Sequence, residues 1–588
     1  METEDRMTTI DIPAGTPSVA APILPTASPT DPAVLSPPRE TGRAALAAGL
    51  ATTLAACGGG GDESASGGLP DPPYEIPGPD TDAEAARFLQ QAQFSSSETE
   101  IAAVRAKGYA RWLEEQMSAP RSASGWDWLV RGGYQKTDIR FNNYADRMMW
   151  HQLIMAPDAV RKRVALAWSE ILVVSSNGID GYWPSFAMAA YWDLLNQHAF
   201  GNFRELLEAI TLNPAMGAYL NTLGNRKANA AGRVPDENYA REVMQLFTIG
   251  LHELNVDGSL RGGRATETYG AADVSNLACI FTGYELDKNG NEHTTDPAPY
   301  RKPMRFNAAR HANDDVSFLG QTVPAGDGPT RLRQALDILF NHPNVGPFLG
   351  RQLIQRLVTS DPSADYVRRV AAAFDDNGAG VRGDLRAVTR AVLLDPEARQ
   401  DPTLKGPAWG KLREPMLRLV QWARTFDAKS SDGQWILWDL SDPSDELGQS
   451  PLRSPSVFNF FRPGYVPPGT ALAMRGQAAP EFQITNETSV AGYLNFIQDV
   501  IAWGVWGNST SKVWVENYTR EMALVNDPLA LVARLNLLLA AGQLSSATIT
   551  IIRDALAGIN PDSDWARKQR IWSAIALVMA CPEYLVQK

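Results

Sequence analysis

"RLRQALDILFNHPNVGPFLGRQLIQRLVT", residues 331–359, decides the fold class. Leu332, Ala335, Leu336 and Leu339 recur at three- and four-residue spacing, and Val345, Leu349, Leu353 and Leu357 follow at intervals of four. That period puts apolar side chains on one face of a helix. Between the two runs, Asn341-His342-Pro343-Asn344 interrupts the period and reads as a proline-shaped corner in a core. The same spacing fills "DAVRKRVALAWSEILVV" (158–174), "ADYVRRVAAAFDDNG" (364–378), "DLRAVTRAVLLDPEAR" (384–399) and "DPLALVARLNLLLAAG" (527–542). Many runs begin after Asp, Ser or Pro and end at Gly or Asn-Gly, which are helix start and stop signals. Strand-like alternation is confined to "QWILWDL" (434–440) and "SKVWVENYT" (511–519). No internal repeat of fixed period is present, which disfavours a solenoid. The expected fold is all-α: a large multi-helix domain, or two tightly packed lobes, with few short strands. Two Gly/Pro/Asn-rich stretches, 285–329 and 425–490, read as long loop insertions on that scaffold.

Composition agrees with a folded chain. Its 588 residues are 44% hydrophobic, 9% aromatic and 20% charged, so a large core can be buried and disorder is expected only near the N-terminus. The formal net charge is -12. No run of Lys/Arg with interleaved aromatics offsets it, and nucleic acid is excluded as an expected partner.

The N-terminal region carries an address. "RAALAAGLATTLAACGGGGDESASGG" (43–68) starts at Arg43, continues through small apolar residues and reaches Leu54-Ala55-Ala56-Cys57. A short apolar stretch behind a positive charge reads as an export signal, too short to span a bilayer. Its end resembles the bacterial lipoprotein box, which implies lipidation of Cys57 and, with no acidic residue directly after Gly58, a destination at the outer membrane or periplasm. The expected organisation is an export signal with a mis-assigned leader over 1–56, a flexible tether over 57–82 and a helical domain over 83–588. Cys279 and Cys581 then remain, equally compatible with a disulfide or with two small buried apolar residues.

Function depends most on "PDENYAREVMQLFTIGLHELNVDG" (235–258). As a helix from Pro235 or Asp236 to Gly250, it sets Glu237, Thr248, Arg241, Gln245, Asn238 and Glu242 on one arc of about 140°. Tyr239, Ala240, Val243, Met244, Leu246 and Phe247 take the other side. Glu237 and Arg241 stand four apart in the favourable order for an ion pair of about 0.2–0.5 kcal/mol. A solvated surface face explains most of this pattern. Glu242 differs, because it sits at the boundary with the apolar arc, where desolvation raises a carboxyl pKa and suits acid–base work.

Metal and cofactor signals are missing. None of the six histidines forms the helical i, i+4 pair of a metal motif, and the cysteines offer no zinc set. Glu253 to Gly258 resembles half a calcium loop, but Arg264 stands where a bidentate Glu is required, so residues 255–258 read as a tight turn. No phosphate-binding glycine loop is present. No cofactor and no bound metal are expected. "DDNGAGVRGD" (375–384) reads as a helix stop followed by a cap at Asp384.

"DENYAREVMQLFTIG" resembles the signature of the large bacterial Domain of Unknown Function 1800 family, in its longer branch. Glu237, Asn238, Ala240, Arg241 and Glu242 match that signature, and Asp236 stands where Asn is usual. The resemblance extends to "VDG" (256–258), "ADVSNLACIFTGYE" (272–285), the segment 340–385 and "SPSVFNFFRPGYVPPG" (454–469). It implies an exported protein that shares an envelope task with a partner resembling secreted sulfatases and phosphatases. In "RHANDDVSFLG" (310–320) His311 matches, but Ala312 replaces the family's Asp and Val316-Ser317 replace its Lys.

Two functional expectations result. One is a carboxylate-dependent hydrolase or lyase acting on polysaccharide or another surface polymer. In it Glu242 is the acid/base, Arg241 and Asn238 orient it, and His311 with Asp257 or Asp273 completes the site. The other is a non-catalytic lipoprotein that binds or matures the sulfatase/phosphatase-like partner through the same polar face.

Overall fold

The structure is a computed structural model that describes residues 77–588 apart from 138, 289–292, 407, 507–510 and 516–517. The expected export signal, Cys57 and most of the expected tether lie outside the described residues.

The opening stretch forms two helices, Gly328–Phe340 and Val345–Leu357, separated by the expected corner. Leu332, Ala335, Leu336, Leu339, Val345, Leu349, Leu353 and Leu357 are all buried. The helical period thus reports the core-facing side. The corner also holds a distant segment. Asn344 is fully buried; its Oδ1 accepts from Leu254 N at 3.0 Å, and its Nδ2 donates to the carbonyls of Ile249 and His252 at 2.8 Å each. One amide side chain therefore pins the chain that leaves the signature helix.

Among the described residues the architecture is all-α: 54% helical, with 23 helices and only a few short strands. Among the described residues no strand exceeds three residues, and every sheet has two or three strands. One continuous apolar core joins the helices, with Trp150, Trp168, Trp192 and Trp422 fully buried in it. All described residues belong to one compact unit, Gly67–Lys588. Cys279 and Cys581 are both free thiols.

The signature helix is shorter than its periodicity suggests. It spans Asn238–Gln245, and the chain then unwinds through Phe247 to Gly250, where Ile249 N and Gly250 N both donate to Met244 O at 3.0 Å. Thr248 consequently leaves the polar arc. It is fully buried, and its hydroxyl bonds to Val243 O. The helix ends at Gln245 and not at Gly250 as expected; Gly250, with φ +72, closes the turn that follows, and a Cβ there would lie 2.7 Å from the Phe348 ring. Gly250→Ala is therefore expected to cost about 1–3 kcal/mol, from left-handed strain plus a displaced ring. Chemical denaturation checks this, and an unchanged midpoint would show that Phe348 does not hold the loop in place.

Three expectations about the irregular stretches are revised. Residues 316–323, inside the first expected loop, form a hairpin: Val316–Phe318 pairs with Gln321–Val323. Its two-residue turn has φ +50 at Leu319 and +71 at Gly320, the twist that suits tight hairpins. Of the two strand candidates, Lys512–Trp514 is a strand paired with Lys429–Ser430 and Val505–Trp506, whereas 434–440 joins no sheet. Trp435, Ile436 and Leu437 are buried consecutively, so the residues do not alternate between two faces. The middle of 425–490 is not a surface loop either. Gln449 and Ser450 are fully buried, and Arg453, 5% exposed, clamps Asp146 through two bonds of 2.8 and 2.6 Å. Irregular backbone is tolerated in a core only when its polar groups are satisfied in this way.

Candidate functional site

The signature helix is anchored by its apolar side. Tyr239 is 1% exposed, shares a 2.6 Å hydrogen bond with Thr211, and meets Phe281 edge-on at 4.9 Å. The first turn is organised by Asp236, whose Oδ1 accepts from Asn238 N at 2.9 Å and whose Oδ2 accepts from Asn221 at 3.2 Å. The carboxylate therefore performs a capping role at the position where the family usually has Asn. The expected ion pair forms: Arg241 lies 3.1 Å from Glu237, both side chains are about two-fifths exposed, and Ser275 donates to Glu237 at 2.5 Å. Arg241 and Asn238 stand in solvent.

Glu242 does not. It is 8% exposed, and its Oε2 is fully buried with no hydrogen-bond partner. Burial raises its pKa above the ordinary glutamate range, partly offset by the positive charge of Arg241. The Tyr219 phenol responds to the same surroundings, pushed up to about 12 by burial and then by the Glu242 charge. One turn on, Gln245 accepts from the Tyr269 hydroxyl at 3.0 Å. An acid with one unsatisfied oxygen, beside two phenols, is thus set into the boundary of the helix.

The other three expected site residues are committed to their own loops. Asp257 accepts from the amide and hydroxyl of Ser259 at 2.9 and 2.6 Å, which lowers its pKa and closes the expected turn. Asp273 accepts from Gly270 N at 2.7 Å, capping its own helix, and from Leu319 N at 2.8 Å, tying down the hairpin. His311 is 3% exposed. Arg331 can only donate, so its 2.8 Å bond makes His311 Nε2 an acceptor, and Nδ1–H donates to Thr282 O at 2.9 Å. Burial lowers the imidazole pKa further. Both ring nitrogens are occupied in the neutral form. The structure brings Glu242, Arg241 and Asn238 onto one helix and gives Asp257, Asp273 and His311 structural bonds elsewhere.

Sequence reasoning passed over a buried network of ion pairs. Glu170 and Arg356, each with a side chain 4% exposed, meet at 3.2 Å. Lys411 lies 3.2 Å from Glu414 and 3.5 Å from Glu481, and all three are essentially buried. Gln449 donates to Glu414 at 2.8 Å, and Ser360 to Glu481 at 2.8 Å. Burial, then the nearby Glu414, pushes the Glu170 pKa far up. Burial also opposes ionisation of Glu414, but Lys411, Arg356 and Arg163 more than offset it, so Glu414 stays ionised. The available signal was one acidic residue inside the apolar run "ALAWSEILVV". Nothing local announced its partners some 190 and 240 residues further along the chain. Among the described residues no group of three His, Cys, Asp or Glu side chains is arranged to hold a metal ion.

With the helical fold and the signature helix in place, a family model described as "Protein of unknown function (DUF1800)" matches residues 87–586. The chain belongs to that family. No curated protein and no solved structure matches it.

Proposed function

We propose that this protein is a lipid-anchored cell-envelope enzyme, a hydrolase or lyase in which Glu242 serves as general acid–base on polysaccharide or another surface polymer. The observation that carries this reading is the Glu242 carboxyl group, 8% exposed with a buried oxygen that no protein group satisfies. Such a group holds its proton closer to neutral pH than a solvated glutamate does, so it can give the proton to a leaving oxygen and take one back. Arg241 and Asn238, on the outer side of the same helix, supply a cation and an amide for orienting a polar substrate. The test is complementation: Glu242→Gln should remain folded and lose function, while Glu237→Gln should not.

A second reading is favoured by the engagement of Asp257, Asp273 and His311 in structural bonds. It makes the polar face a docking surface for a sulfatase- or phosphatase-like exported partner, without catalysis. Full complementation by Glu242→Gln, together with loss on Arg241→Ala, would select it.

Both readings place the chain at the outer membrane or periplasm through Cys57. No helix among the described residues is long and apolar enough to cross a membrane. If the anchor is a lipid on Cys57, wild type should partition into the detergent phase with membranes and Cys57→Ala should not. Equal partitioning would remove the lipoprotein reading and leave the Glu242 test standing.

A further inference from the structure

A groove of about 700 Å³ runs between the helices Glu487–Trp503 and Asp564–Ala580, with Ser546–Ala557 beside them. This is within the range of about 300–1,000 Å³ typical of ligand sites. Ala502, Ala555, Ala576 and Ala580 line it, and their small side chains leave it open. Asp564–Ala580 packs on both neighbours and on Pro528–Ala540, whereas the helix that carries Glu242 packs on Ala271–Ile280. The groove and the signature helix share no element.

Tryptophan crowds the groove. Trp572 lines it, and its ring centroid is 5.4 Å from those of both Trp503 and Trp565, which are themselves 5.8 Å apart. Trp503 is 50% and Trp565 49% exposed, whereas Trp150, Trp168, Trp192 and Trp422 are fully buried in the core. Trp506 is the other exposed tryptophan among the described residues, and the Lys512 ammonium stands over its ring at 5.1 Å. Among the described residues no cation stacks on the three clustered rings. Tryptophan is highly buried on average, and half-exposed rings forgo apolar burial that folding otherwise uses. A contiguous exposed aromatic patch of this kind marks a contact surface.

The polar groups of the lining indicate what makes the contact. Gln498, Asp499 and Gln569 line the groove, and among the described residues none of them makes a side-chain hydrogen bond or an ion pair. The three indole N–H groups of the cluster donate to no protein acceptor either. Trp565, Gln569, Trp572 and Ala576 recur at three- and four-residue spacing, so indole and amide alternate along one face of their helix. A pyranose ring matches that alternation: its C–H face stacks on an aromatic ring, while its hydroxyls donate and accept at the edge, as amides do. Asp499 is the one charged residue in the lining. An acidic polymer or an anionic lipid headgroup would meet that carboxylate with no lining cation to offset it, so the complementary ligand is uncharged.

We infer that this groove binds a neutral polysaccharide chain, whose sugar rings stack on Trp503, Trp565 and Trp572 and whose hydroxyls bond to Gln498, Asp499 and Gln569. The inference does not depend on the role given to Glu242, which none of its test variants alters.

Calorimetry on the purified folded chain tests this with maltohexaose, laminarihexaose and cellohexaose as neutral probes and hexagalacturonate as the charged one. At least one neutral hexasaccharide should bind, shift the tryptophan fluorescence and show little dependence on added salt. Trp503→Ala and Trp565→Ala should each weaken it about tenfold, and Gln569→Ala less. The two tryptophans are half exposed and Gln569 is exposed, so the fold should be retained, with circular dichroism as the check. Hexagalacturonate should bind about tenfold more weakly or not at all. Five results would overturn the inference. They are no binding of any neutral hexasaccharide, equal binding of hexagalacturonate, and binding unchanged by both tryptophan substitutions. The others are phosphatidylcholine-vesicle binding that Trp565→Ala abolishes, which would make the rings a membrane face, and a dimer in ultracentrifugation that Trp565→Ala dissociates, which would make them an interface between copies.

Discussion

Glu242→Gln is expected to leave the protein folded and to abolish the cellular phenotype of the gene, whereas Glu237→Gln leaves it close to wild type. The amide keeps the length and hydrogen-bonding reach of the carboxylate and removes only its proton. General acid–base transfer is worth about 100- to 10,000-fold in rate, enough to eliminate complementation. Stability should move in a characteristic way. The folded pKa of Glu242 is raised, so its ionisation penalises the folded state: stability is greatest below the ordinary glutamate range and is lost as pH rises through the folded value. Glu242→Gln should therefore gain on wild type as pH rises above the ordinary glutamate range. Glu237 pairs with Arg241 in solvent, and losing such a pair costs about 0.3–0.5 kcal/mol. Purified protein, thermal unfolding at several pH values and complementation provide the readouts. A folded Glu242→Gln protein with full complementation would return the helix to an ordinary amphipathic surface and end the acid–base reading.

What could be read in the sequence was whatever repeats within a few residues. The spacing of Leu332, Leu336 and Leu339 identified a buried face because a helix returns a side chain to the same side every three or four residues. The Glu237–Arg241 pair and the boundary position of Glu242 are equally local and were both legible. Thr248 was misplaced because the helical wheel continued past Gln245, where the helix ends. The 316–323 hairpin was read as loop because its strands are three residues long and carry too little alternation. The buried segment around Gln449, Ser450 and Arg453 was hidden for another reason: a polar, glycine- and proline-rich stretch enters a core only if distant partners satisfy it, and Asp146 lies 307 residues away.

The buried ion network offers the second large effect. Arg356→Met is expected to destabilise the protein by about 3–5 kcal/mol, because it leaves buried carboxylates short of a cation in a site that water does not reach. Removing the carboxylate instead should be mild. Glu170 holds its proton more tightly than an ordinary glutamate, through burial and then through the charge of Glu414, so Glu170→Gln replaces a group that is already reluctant to ionise. The sign follows from linkage. A carboxyl whose folded pKa is raised contributes its full stability below the ordinary glutamate range and loses it as pH rises toward the elevated value. Wild type should therefore lose stability relative to Glu170→Gln from about pH 5 upward, with a slope of at most about 1.4 kcal/mol per pH unit for one proton. The double variant Arg356→Met/Glu170→Gln should recover little of the Arg356→Met loss at pH 5, where Glu170 is protonated in either case, and more at pH 8, where holding Glu170 in its protonated form costs stability that the amide does not. Urea denaturation of the four proteins at pH 5 and pH 8 measures both quantities. At pH 8, a double variant no more stable than Arg356→Met alone would show that Arg356 acts through its packing on Phe461, 4.5 Å from its guanidinium, and that its charge is not what Glu170 requires.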